Sequence, residues 1–452
     1  QVVEKLDQNT GHYWGLAHQI WTRAELGYQE VESSALLLQE LEGAGFSIES
    51  GVAGMPTAFM ATYGQGEPVI GILAEYDALP GVSQQAVPEP LPRENVTSGH
   101  ACGHHLFGTA STAAATAIKS WLISHNQQGT IKVFGTPAEE GGSGKVYMVR
   151  AGLFDDVDAV LHWHPSSKNS ANASSSLANK SAKFRFHGAA AHAAAAPEKG
   201  RSALDGVEAM NYMTNLLREH IPMESRIHYV ITRGGEAPNV VPAFSEVFYY
   251  VRHPEMKQVV SLFERVVHAA QGAAMGTGTT MEFEVIHGNF NVLPNESIAR
   301  VMHKNLEIVG GVTYDQAEQG FAEKILTSYD GSIDSLNLSE SVAPFEVILR
   351  GKGGSTDVGD VSWAVPTAGL RTATWVPGTF GHSWQAVAAG GMSIGKKGMM
   401  VAAKTLTLTA IDLFSDPEII EKANQELKKR RGQDFKYESL LGDREPPLDY
   451  RK

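Results

Sequence analysis

Gly99-His100-Ala101-Cys102-Gly103-His104-His105 holds the only cysteine of the 452 residues, two positions before a histidine. A thiolate and an imidazole spaced this way around a glycine turn can share a pair of divalent metal ions. The other donors such a site needs lie in three islands downstream: Pro137-Ala138-Glu139-Glu140-Gly141-Gly142, Leu161-His162-Trp163-His164-Pro165 and Gly381-His382-Ser383. Short aliphatic runs at 68–74, 130–134 and 158–161 each precede a loop rich in polar or metal-binding residues, and helical sequence such as 109–123 follows. That alternation predicts an α/β fold with a mostly parallel central sheet flanked by helices. Ligands of such sheets sit beyond the carboxyl ends of the strands, and Asp77, Cys102, Glu139-Glu140 and His164 all fall just past these runs.

Outward from the islands, apolar residues recur at helical spacing from Trp14 to Trp21 and from Leu36 to Leu41, so two helices open the fold. The polar stretch 166–180 reads as a domain boundary. Beyond it the pattern is strand 182–187, helix 204–220, strands 226–232 and 246–252, helix 257–276 and strand 280–286. This order predicts an inserted α+β domain, helices on one face of a four-stranded sheet. The expected division is a discontinuous catalytic domain over residues 1–180 and 291–452, with residues 181–290 inserted. His382 then returns from a distant segment to the first domain.

Length, 42% hydrophobic and 19% charged residues describe a globular chain of two domains. A net charge of -13 and no basic run beyond Lys428-Lys429-Arg430-Arg431 leave no footprint for nucleic acid or an anionic membrane. No apolar window approaches the roughly 20 residues of a spanning helix. A small-molecule substrate is the expected partner. A lone cysteine excludes an internal disulfide and says nothing of redox compartment. Gln1 in place of methionine fits a periplasmic or secreted protein if it is a processed terminus, and a cytoplasmic one otherwise.

Cys102, His104, Glu140, His164 and His382 are the right donor types for two divalent ions, zinc or manganese first, nickel or cobalt also accommodated. Such a pair can clamp a carbonyl oxygen and lower the pKa of a bound water to about 7. Adjacent Glu139 and Glu140 face different ways only where the backbone bends, which Pro137 and Gly141-Gly142 permit. Glu139 is read as general base and Glu140 as ligand. Any one of the 17 histidines is more often structural than ligating, and a Glu-Glu pair alone is usually solvated. Joint occurrence at strand ends reverses those odds. Gly141-Gly142-Ser143-Gly144-Lys145 resembles a phosphate loop, but Val146 follows where Ser or Thr is required. No His-Glu-x-x-His helix is present.

With these islands, the chain resembles the dinuclear-metal amidohydrolase and metallopeptidase family of aminoacylases, auxin-conjugate hydrolases and glutamate carboxypeptidases, from about His12 to about Phe435. Its p-aminobenzoyl-glutamate hydrolase branch is the most similar, through Ala74-Glu75-Tyr76-Asp77-Ala78-Leu79-Pro80-Gly81, Trp163-His164-Pro165, Ser355-Thr356-Asp357-Val358-Gly359-Asp360 and Pro377-Gly378-Thr379-Phe380-Gly381-His382-Ser383. The resemblance implies an aminopeptidase-like catalytic domain and a ferredoxin-like lid or dimerisation domain. It implies that Cys102, His104, Glu140, His164 and His382 ligate metal, that His162 is structural, and that Asp77 orients a ligand. His105 departs from the family pattern and could compete for metal. His192, within Gly188-Ala189-Ala190-Ala191-His192, matches a histidine that reaches the substrate carbonyl, often from a partner subunit. Asn239 and Arg252 match substrate-binding positions. The activity implied is hydrolysis of an N-acyl or N-aroyl amino acid, p-aminobenzoyl-glutamate-like substrates first, by a homodimer joined through the inserted domain. The alternatives are a dipeptidase or indoleacetyl-amino-acid hydrolase, or a metal- or ligand-binding relative without turnover.

Overall fold

The computed structural model describes residues 2–451; Gln1, on which the compartment expectation rests, lies outside them. A six-stranded sheet forms the centre, in the order Ser47–Ser50, Phe59–Gln65, Gly129–Gly135, Val69–Ala74, Ala159–Ser166, Thr367–Ala373. The last four are mutually parallel and the first two pair antiparallel at one edge, so the sheet is mixed. Val69–Ala74 is apolar throughout and Gly129–Gly135 is buried throughout, with Lys132 paired to Asp156, as expected of strands covered by helices on both faces. Phe59–Gln65 carries Thr62, Gly64 and Gln65, too polar a run to announce itself as a strand.

The helix His104–His125 starts directly from the Cys102-Gly103 turn and is buried along most of its length. Gly103 has φ 77°, and a Cβ there would stand 2.7 Å from Pro165. Only glycine lets the turn approach that strand so closely. The long C-terminal helix Ser393–Ser415 packs beside it, and Leu106, Ala110, Ala113, Met399, Ala402 and Leu406 share one apolar core with the sheet. Three helices rather than two open the chain, Val2–Gln8, Thr10–Arg23 and Val31–Gly43.

A second, four-stranded antiparallel sheet runs in the order Arg226–Arg233, Phe244–His253, Ala178–His187, Thr280–Asn289. Helices Ala203–Leu217 and Met256–Thr277 cover it, and Phe184, Phe186, Val247, Tyr249, Leu262 and Phe263 form a separate apolar cluster. Burying each such side chain contributes about 1.5–3 kcal/mol, so this sheet carries a core of its own. Among the described residues no helix is long and apolar enough to cross a membrane.

Candidate metal centre and active site

Four loops and strand ends converge at the carboxyl edge of the parallel strands. Cys102 ends the turn before its helix, and His382 follows the last parallel strand, its N–H donating to Ala101 O at 2.9 Å. His164 lies inside the Ala159–Ser166 strand, not beyond it as the aliphatic run suggested. Pairing with Thr367–Ala373 carries that strand on through Pro165 and Ser166. Alternation turns Trp163 toward the helix, where Nε1 donates to Phe107 O at 3.1 Å, and leaves His162 and His164 on the other face.

The potential ligand atoms of Cys102, His104 and His164 lie within 4.8 Å of one another, and so do those of Cys102, Glu140 and His382. Cys102 is common to both groups. Its Sγ is 3.3 Å from His164 Nε2, and His382 Nε2 is 3.3 Å from Glu140 Oε1. His104 Nε2 and Glu140 Oε1 are buried without hydrogen-bonding geometry to any partner. Burial, then the Glu140 charge, pushes the Cys102 thiol well up, so its thiolate form needs a cation beside it. These donors and orphaned atoms fit divalent ions.

The loop bearing the two glutamates is bent and tied at several points. Ala138 and Ser143 adopt φ of 56° and 60°, and His382 one of 63°. Such left-handed backbone at non-glycine residues persists where surroundings over-determine it. Here Ala138 N–H donates to Glu30 Oε1 at 2.9 Å, Tyr28 Oη to Gly142 O at 2.6 Å, and Glu140 N–H to Asp77 Oδ2 at 2.9 Å. Tyr450 Oη and Arg451 Nη2 donate to Glu140 O from the far end of the chain, at 3.0 and 2.7 Å. The bend separates the carboxylates, so Glu140 meets Cys102 and His382 while Glu139 groups with Glu75 and His104. Burial, then Glu75 and Glu140, holds the Glu139 carboxyl well above the usual range, and such a group can accept a proton and return it.

Asp77 Oδ1 receives His104 Nδ1 at 2.8 Å. Glu75, two residues earlier on the same extended segment, points the same way, its Oε2 3.1 Å from His104 Nε2. Its Oε1 meets Lys145 Nζ at 2.7 Å, and Lys145 also meets Asp357 Oδ1 at 2.7 Å, all three buried. The lysine of the phosphate-loop-like run is therefore neutralised by carboxylates. Glu75, Lys145, Asp357, Glu30, His287 and the C-terminal Tyr450-Arg451 are the site residues that sequence reasoning passed over. Glu75 left a signal in its two-residue offset from Asp77, and Lys145 and Asp357 stood in quoted motifs without a role. His105 turns away, with Nε2 2.9 Å from Gly390 O, and His162 belongs to neither metal group.

His192 and Asn239 sit together on exposed loops, Ala193 N–H donating to Asn239 O at 3.0 Å. Among the described residues neither contacts the metal groups. Arg252 is half-buried, stacked 5.3 Å over Tyr250, with Nε unpartnered. Its charge reaches His287, whose Nδ1 is 2.5 Å from Ser143 Oγ at the end of the glutamate loop.

A mixed sheet flanked by helices, with a thiol, imidazoles and carboxylates gathered at the carboxyl edge of its parallel strands, defines a metallohydrolase of the α/β class. Residues 71–330 match the model of peptidase family M20/M25/M40, and the chain belongs to that family. It is 42% identical over 450 residues to one of the subunits of p-aminobenzoyl-glutamate hydrolase from Escherichia coli (strain K12), covering 94% of each chain. It is 30% identical over 444 residues to Xaa-Arg dipeptidase of Mus musculus, covering 95% of this chain and 91% of the relative. The Bacillus subtilis YXEP protein, a dinuclear metal binding peptidase of the M20 family, shares the fold with a TM-score of 0.61 at 17% identity, over 90% of this chain and 99% of that one. The protein is a metal-dependent hydrolase of amide bonds.

Proposed function

We propose that this chain uses two divalent ions to hydrolyse the amide joining an acyl or aroyl group to an amino acid, with p-aminobenzoyl-glutamate as first substrate. The observation that carries this reading is the position of Cys102, common to two donor groups, with Glu139 beside them and outside both. Cys102, His104 and His164 would hold one ion, and Cys102, Glu140 and His382 the other. Zinc or manganese suits one thiolate among imidazoles and carboxylates, with nickel or cobalt next. The ions supply polarisation of the scissile carbonyl and acidification of a water.

Glu139 takes the proton of the attacking water and delivers it to the departing amine, which leaves as a free amino acid. Asp77 fixes the His104 tautomer so that Nε2 faces the site. Arg252 forks onto the α-carboxylate of the substrate. His192 stabilises the developing oxyanion and Asn239 donates its amide, both delivered from a second copy of the chain. Exposed Tyr212, Leu216 and Met275 on the helices of the inserted sheet support pairing of two copies there, with residues 181–290 as lid and dimerisation domain.

The relative named for p-aminobenzoyl-glutamate supports that substrate, and the one named for Xaa-Arg dipeptides supports a dipeptidase as the second reading. The test is release of glutamate from p-aminobenzoyl-glutamate by metal-stripped protein, with zinc or manganese restored in separate samples. Metal-restored release is expected. Turnover of a dipeptide with a free amino terminus but not of the aroyl substrate would favour the second reading.

A further inference from the structure

The pairing of the last two parallel strands places Arg371 directly across from His164 and Gly369 across from His162. Residues in register on neighbouring strands, about 4.8 Å apart, project to the same face. A Cβ at Gly369 would fall 2.3 Å from the His162 ring, so that imidazole lies flat over the glycine and leaves room beside it. The room is a recess of about 600 Å³ that runs from His162 and His164 past Arg371 to Lys168 and Lys352. All three cations are exposed to it. Among the described residues none of their side chains makes an ion pair or hydrogen bond, and Glu346 is the sole carboxylate on the wall. By contrast, Arg185 sits on Glu246 and Glu284, and Arg350 on Glu224 and Glu255.

A guanidinium and two ammonium groups left unpaired beside a metal-ligand histidine form a receptor for a carboxylate. We infer that this recess receives the side-chain carboxylate of the amino acid released by hydrolysis, and that Arg371, with Lys168 and Lys352, selects acidic over neutral and basic amino acids. The inference rests on the amide-hydrolase reading above and names the leaving group that site takes. The α-carboxylate, two bonds from the scissile nitrogen, stays near the ions and Arg252, whereas a longer side chain reaches along the strand to Arg371. An arginine side chain would meet three like charges there.

The test compares N-benzoyl-glutamate, N-benzoyl-glutamine and N-benzoyl-arginine, which share the acyl group and the α-carboxylate. Binding is measured by calorimetry on zinc-loaded Glu139→Gln protein, and kcat/KM on protein that keeps Glu139. Both are repeated in Arg371→Gln and in Lys168→Gln/Lys352→Gln, with thermal melts to verify folding. The glutamate compound should bind roughly tenfold or more tighter than the glutamine one, the discrimination of a charge-assisted hydrogen bond. Arg371→Gln should bring that ratio close to one, and the lysine pair should lower it part of the way. A ratio near one in the parent protein, no binding of any of the three, or a ratio unchanged in both variants would overturn the inference. A binding preference that Arg371→Gln abolishes, together with no turnover of any compound, would uphold the recess and sink the amide-hydrolase reading instead.

Discussion

Asp77 fixes His104: its Oδ1 lies 2.8 Å from His104 Nδ1, and its Oδ2 takes the N–H of Glu140 at 2.9 Å. One buried carboxylate thus sets both the imidazole of one donor group and the backbone of the other. Asp77→Ala should weaken metal binding about 10–100-fold, as loss of such an outer partner does. Competition against a chromogenic chelator measures this, and an affinity within twofold of the parent would remove Asp77 from the site's design.

Glu139 stands beside the donor groups that share Cys102, without belonging to either. Glu139→Gln keeps the shape and removes the proposed base. Turnover should fall by about 10²–10⁴-fold with metal content unchanged. Steady-state rates with parallel metal analysis read both; loss of metal in step with activity would make Glu139 a ligand instead.

Lys145 is enclosed by Glu75 and Asp357 at 2.7 Å each. Lys145→Met leaves two buried carboxylates facing each other without a cation, which should cost about 3–5 kcal/mol. Adding Asp357→Asn should return part of that loss. Urea unfolding of metal-free protein gives the values, and a shift under about 1 kcal/mol for the single variant would contradict the network.

Burial, then the charge of Asp77, pushes Glu30 up to about 8 from the usual 4.5. The folded chain therefore holds a proton that the unfolded chain releases, so this group's stabilisation is complete below about 4.5 and is lost as pH rises through about 8. Gln fits the same partners, its carbonyl accepting from Ala138 N–H and its amide donating to Thr57 Oγ1. In urea unfolding of metal-free protein, Glu30→Gln should gain on the parent steadily between pH 5 and 8.5. A gap that stays flat would place the carboxyl's titration below this window.

Tyr450 and Arg451 both donate to Glu140 O, tying the chain's far end to the glutamate loop. Removing residues 449–452 should speed metal release to a chelator, while Tyr450→Phe, which deletes one bond worth about 0.5–1.5 kcal/mol, should do so less. Release at the parent rate in the truncated protein would reduce this segment to packing.

What is local in this molecule reads directly along the chain. Donor residues, the glycines and proline that bend the chain beside them, and the period-two and helical runs all read from neighbours along the chain, so the α/β pattern and the five metal-ligand candidates were legible before any contact was known. The strand order of the inserted sheet, its pairing partners and the antiparallel edge at Phe59–Gln65 were not, because hydrogen-bonding between strands is chosen by long-range packing. Tertiary structure alone decided that Cys102 serves both donor groups and that His164 shares its strand with His162. It also decided which cations are spent on internal carboxylates, as Lys145 is, and which remain free, as Arg371 is. Residues 145 and 357, or 164 and 371, lie some two hundred positions apart in the chain, and only the packing of helices and the pairing of neighbouring strands bring them within reach of each other.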